Sequence, residues 1–116
     1  MAENTETITD EFMMEMMSKT RNYSIVILKH GPSWNKAGRE KIIWEHARRN
    51  FALVGRGIMP IVCPVSDDTN VSGVGIFNAD AGEVKIIMDK DPGVKEEVFI
   101  YEIHACRSFP GSSLPS

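Results

Sequence analysis

The strongest constraint on this chain is a change of hydrophobic period that recurs along it: a face repeating every second residue builds a strand, and one repeating near every 3.6 builds a helix. Residues 23–30 are rich in Ile and Val and stop at His30-Gly31-Pro32, which reads as a strand closed by a turn. Over residues 36–56 the period turns helical: Ile43, Ala47, Phe51 and Val54 line one face, with Arg39, Glu40, Arg48 and Arg49 mostly off it. Gly55 and Gly57 then offer helix-ending conformations. Residues 58–65 form an extended apolar run interrupted by Pro60 and Pro64, the pattern of an edge or bulged strand. The stretch 66–70 is turn chemistry and 72–77 returns as a third strand, so the two runs read as a hairpin. Asp80 is placed to cap a second helix over residues 81–89, with Val84, Ile87 and Met88 as its buried side. Asp91-Pro92-Gly93 interrupts it, and residues 97–106 make a last strand.

This order, strand, helix, strand, strand, helix, strand, predicts an α+β fold of ferredoxin-like βαββαβ type, with an antiparallel sheet and both helices on one face. The first and last strands are apolar on both faces: Ile25 and Ile27 against Val26 and Leu28, then Val98 and Ile100 against Phe99, Tyr101 and Ile103. Helices on one face leave the other in water, so a second subunit or the Met-rich segment near the N-terminus is expected to cover it; a second subunit would give a homodimer, a dimeric α+β barrel, and is the expected arrangement. Ahead of the first strand, Thr9 reads as the N-cap of an extra amphipathic helix striped with Phe12, Met13, Met16 and Met17. That stripe suits either an ordinary docked helix or an adaptable binding surface. The expected organisation is an N-terminal helical extension over residues 1–20, an α+β domain over 21–110 and a loose Ser- and Pro-rich tail over 111–116.

Composition narrows the function classes. With 116 residues the chain is of single-domain size, and 13 Lys+Arg against 16 Asp+Glu leave a formal net charge of -3 without a basic block, so no nucleic acid partner is expected. Cys63 and Cys106 are too few and too far apart for a secreted disulfide framework, which points to reduced thiols and a cytoplasmic protein. Glu3, Glu6, Asp10 and Glu11 stand where a secretion signal needs positive charge, and no apolar run is long enough for a membrane partner.

Among side chains that can carry chemistry, the histidines come first, because imidazole exchanges protons near neutral pH. His46 lies beside the buried face of the main helix, and its spacing suits a packed histidine or a functional one. His30, at a strand end, stays in reserve. His104 and Cys106, at i and i+2, share one face of the last strand, but two ligands do not make a zinc site and no metal or other cofactor is expected. Gly73-Val74-Gly75 lies inside a strand and reads as close backbone packing instead of a nucleotide loop. No Ser or Cys has the surroundings of an activated nucleophile. Asp91 precedes a proline, which biases it away from helical geometry; it either merely ends the second helix or holds a carboxylate at a fixed junction.

His46, Leu53, Gly57, Pro64 and Asp91-Pro92 follow one another in an order that resembles the YCII-related (YciI-like) family of small dimeric α+β-barrel proteins. The resemblance runs over residues 23–110, and its most recognisable piece is Asp91-Pro92-Gly93-Val94-Lys95. Cys63 departs from the pattern, standing where the family usually has the glycine before that proline. The resemblance implies a ferredoxin-like fold, a dimer formed through the sheets, and an active site built from His46 and Asp91. It also implies cofactor-free His/Asp acid–base chemistry of isomerase or lyase type on a small oxygenated or aromatic molecule; one branch of the family is a dehydrochlorinase of chlorinated hydroxyquinols. The alternative is a non-catalytic small-molecule binding or regulatory module, and the ligand is unknown in either case. Either reading expects a pocket near His46; the enzyme reading further expects Asp91 to reach the His46 imidazole, directly or through one water, at its edge.

Overall fold

The first element forms where a hydroxyl precedes two acids: Thr9 Oγ1 accepts from the Phe12 amide at 3.1 Å and opens helix α1 (Asp10–Ser18). The computed structural model describes residues 7–116; residues 1–6 of the expected extension, with Glu3 and Glu6, lie outside the described residues. No residue of α1 is buried, and Phe12, Met13 and Met17 are all exposed. The docked-helix reading of the Met-rich stripe therefore fails for a single chain.

Strand β1 (Arg21–His30) follows after Lys19 and Thr20. Its alternation is regular, with Ser24, Val26 and Leu28 buried and Ile25 and Ile27 half-buried. Gly38, at φ 82, delays the main helix, so α2 runs over Arg39–Gly55 and not from residue 36. Of its expected inward face Ile43 and Val54 pack on the core and Ala47 is half-buried, but Phe51 is 71 % exposed, and the face is centred on His46 and Leu53, which are buried, with Ile42 beside them. Polar residues took inward positions that an apolar count assigns to Phe51, because they serve a buried carboxylate described below.

The hairpin forms as expected, its first strand shorter and its second one residue longer: β2 (Ile61–Pro64) pairs antiparallel with β3 (Val71–Phe77). Helix α3 (Ala81–Asp89) begins at Asp80, whose Oδ1 accepts from the Glu83 amide at 2.9 Å. A one-turn helix, α4 (Pro92–Lys95), then precedes β4 (Phe99–Ser108), which starts two residues later than expected. The four strands form one antiparallel sheet in the order β2-β3-β1-β4. Val26, Leu28, Phe77 and Phe99 on one side of it join Leu53, Val84 and Met88 of the helices in a single core.

Two local features open space beneath α2. Gly73 and Gly75 take the helix-facing positions of β3, where a Cβ on Gly75 would stand 2.6 Å from Met59 Sδ. Leu28 opposes Gly73 while Lys29 opposes Val71, so Ser72 is the extra residue of a bulge. The sheet's other side carries Ile25, Ile27, Val74 and Ile76, all half-buried, and β4 adds Ile100, Glu102 and His104 to it. Because Val98 lies before β4, the last strand is apolar on only part of that side, and Lys29 pairs with Glu102 there. Among the described residues no helix is long and apolar enough to cross a membrane.

Candidate functional site

Pro92 sets the site's geometry. It holds Asp91 at φ -67 and ψ 134, outside the preceding helix, and occupies the first position of α4. Asp91 caps that helix: its Oδ2 accepts from the Gly93 amide at 2.9 Å and from the Val94 amide at 3.4 Å. Gly93 is needed here, since a Cβ would fall 2.4 Å from the Phe99 ring and 3.1 Å from Asp91 Oδ2. The carboxylate is 1 % exposed. Burial of that kind is costly unless the charge is partnered.

Its partners come from one face of α2. His46 Nδ1 lies 2.8 Å from Asp91 Oδ1 and 2.9 Å from Oδ2. The expected contact between the two residues is therefore direct. An ionised carboxylate only accepts, so Nδ1 carries the proton and donates it, and in the neutral imidazole Nε2 is left as acceptor. Asn50, one turn further along, donates from Nδ2 to His46 Nε2 at 3.1 Å. Arg49 Nη1 lies 3.7 Å from Asp91 Oδ1, while Nη2 donates to the Ile87 carbonyl at 2.7 Å. Arg49 thus brings a counter-charge to Asp91 and ties α2 to α3. Arg49, expected mostly off the buried face, turns toward Asp91, and Asn50 carries no apolar signal; the i+3 and i+4 spacing of the two from His46 is what marks them.

His46 borders a cleft of about 420 Å³ between α2 and the β2–β3 side of the sheet, together with Asn50, His30, Trp34 and Phe99. The His46 ring tilts against Phe99 at 4.7 Å, Trp34 stacks on His30 at 3.6 Å, and the Arg39 guanidinium lies over the Trp34 ring, 4.3 Å from its centroid. His30, kept in reserve from its position, is thereby a wall of the cleft. Trp34 had no signal in the sequence. Ser72 and Asp67 line the opposite part; the Ser72 hydroxyl is buried without a hydrogen-bond partner. Hydrogen bonds from the Thr69 hydroxyl and amide hold the Asp67 carboxyl below its usual value, so it stays ionised at neutral pH. Among the described residues no lysine or arginine lines the cleft.

The remaining candidates lie elsewhere. His104 and Cys106 do share a face of β4, but it is the side away from α2, and His104 Nε2 pairs with Glu102 Oε2 at 3.1 Å. Cys63 is on β2 and Cys106 on β4, the two edges of the sheet, so they do not meet. Among the described residues no three His, Cys, Asp or Glu side chains converge as metal ligands. Cys63, which departs from the YciI-like pattern, is exposed at the cleft's border. Compared with models of known protein families and with curated protein sequences, the chain matches none.

Proposed function

We propose that this chain is a YCII-like protein of ferredoxin-like βαββαβ architecture, working as a cytoplasmic homodimer, whose His46–Asp91 pair carries out cofactor-free acid–base chemistry on a small oxygenated or aromatic molecule. The single observation behind the chemistry is the buried contact of both Asp91 oxygens with His46 Nδ1, at 2.8 and 2.9 Å, beside a cleft. The strand order β2-β3-β1-β4 and the helices on one side of it support the architecture. Ile25, Ile27, Val74 and Ile76 on the other side support a second copy as its cover. Thiols held at opposite edges of the sheet suit a reducing compartment.

In this reading Asp91 fixes the Nδ1–H tautomer, so Nε2 takes the ligand's proton, and the imidazolium that forms is met by the carboxylate already in place. The proton returns to another atom of the ligand in an isomerisation, or leaves with a departing group in an elimination. A positioned general base of this kind contributes about 10²- to 10⁴-fold to rate. One observation favours the alternative of a non-catalytic binding module: Asn50 already engages Nε2, so both imidazole nitrogens are occupied.

Proton transfer can be tested before the reaction is known. A panel of small hydroxylated, carbonyl-bearing and chlorinated aromatic compounds is incubated with the protein in D₂O and followed by proton NMR. The expected result is loss of one carbon-bound proton signal in at least one compound, abolished in His46→Gln. Compounds that bind with no exchange would replace the enzyme reading with the binding module.

A further inference from the structure

The cleft presents a paired acceptor and donor, His46 Nε2 and Asn50 Nδ2–H, at its aromatic end, 3.1 Å apart. The acceptor is fixed because Asp91 accepts a hydrogen bond from Nδ1–H, and the donor is spent on Nε2 only while nothing else is there. A ligand group that carries a donor next to an acceptor can replace this internal hydrogen bond by two of its own. Its N–H or O–H donates to Nε2, and its neighbouring carbonyl accepts from the Asn50 amide.

Charge selects further. The carboxylate of Asp91 is met by Arg49 at 3.7 Å and by the Gly93 and Val94 amides, which are not among the groups lining the cleft. No lysine or arginine among the described residues lines the cleft, and its carboxylate, Asp67, is held ionised. An anion would enter without a counter-charge. Trp34, His30 and Phe99 supply flat walls instead.

We propose that Asn50 is the second recognition residue of this site and that the site takes a neutral planar molecule with a donor and a carbonyl on adjacent ring atoms, a lactam or an enolised carbonyl. The Ser72 hydroxyl, buried and without a partner, is a further polar anchor along the same cleft. This rests on His46 and Asp91 forming the working pair, but binding is read whether or not a proton is transferred.

The test uses 2-pyridone, a neutral ring with adjacent N–H and C=O, and N-methyl-2-pyridone, which keeps the ring and carbonyl but lacks the donor. Each is titrated into the full ¹⁵N-labelled chain while the His46 imidazole and Asn50 side-chain amide are followed. Expected are joint shifts of His46 Nε2 and the Asn50 amide with 2-pyridone, with binding about tenfold weaker for the methylated ring and about tenfold weaker again for 2-pyridone on Asn50→Ala, the scale of one hydrogen bond each. Alanine suits a helix, so Asn50→Ala retains the fold; Asn50→Asp, which also removes the donor, serves as the second variant and should weaken binding alike. Equal binding of the two rings, unchanged binding by both variants, or no shift at either residue overturns the proposal. Lactam recognition without exchange in D₂O would sink proton transfer alone, whereas exchange on other compounds without lactam recognition would sink this inference alone.

Discussion

Asp91 serves two structures at once, since its oxygens both cap α4 and accept the hydrogen bond from His46 Nδ1–H. Replacing it by alanine leaves the Gly93 amide and the imidazole N–H without their acceptor inside the protein and strands Arg49 Nη1 beside an empty site. Asp91→Ala is therefore expected to cost about 2–4 kcal/mol, and Asp91→Asn, which keeps one acceptor oxygen, about half of that, as read by urea denaturation at pH 7. Equal, near-zero costs would mean that the carboxylate is not the anchor of this end of the fold. A separate test concerns Tyr101, whose hydroxyl donates to Asp89 Oδ1. Burial and this hydrogen bond push the Tyr101 phenol up from 10.0 to about 12. The folded value lies above the unfolded one, so this contribution to stability is complete below pH 10 and fades as pH rises through about 12. Denaturation midpoints should therefore fall over that alkaline window in the native chain and stay flatter in Tyr101→Phe. Parallel curves would remove the hydrogen bond from the account. The residues that carry the site were unevenly legible: Pro92 announced a fixed Asp91, and helical spacing brought His46 near the inner face. Arg49 and Asn50 share that face, but charged and amide side chains on a helix are normally solvated, and only a buried carboxylate on another element reverses this.

At the scale of elements, period and capping located seven of the eight helices and strands, and the departures have local causes. The first turn of α2 was lost to Gly38 at φ 82, and α4 is too short, at four residues, for any period to register. The phase of α2 was misjudged because Phe51 outweighed His46 on an apolar count, although the first is exposed and the second buried. Helix α1 was placed correctly from Thr9 but its role was not, because amphipathicity shows that a face exists and not what lies against it. A chain lacking residues 1–18 is consequently expected to keep its unfolding free energy within about 0.5 kcal/mol of the full chain, since no buried residue is removed among those described. A loss of several kcal/mol in equilibrium denaturation would show that α1 packs in solution against a surface it does not touch in the single chain.

On the scale of the whole molecule, one side of the sheet is closed by helices and the other is not. For 116 residues a compact domain has a radius of gyration of about 13 Å, whereas the described chain has 17.1 Å and extents of 55 × 33 × 24 Å. That elongation includes helix α1, none of whose residues is buried. Ile25 stands at the middle of the uncovered side, paired with Ile76 across one ladder and His104 across the other. Each half-buried isoleucine that a second copy removes from water contributes at about 25 cal/mol per Å² of apolar surface, and a charge placed among them must be desolvated on association. The chain should therefore scatter light as twice its own mass at micromolar concentration. Ile76→Glu sets a carboxylate against Ile25 and Ile61, on neighbouring strands of the same side, and should give a folded monomer with the circular dichroism of the parent. A native chain that scatters as a monomer, or an Ile76→Glu variant that still pairs, would place any dimer on a surface other than this one.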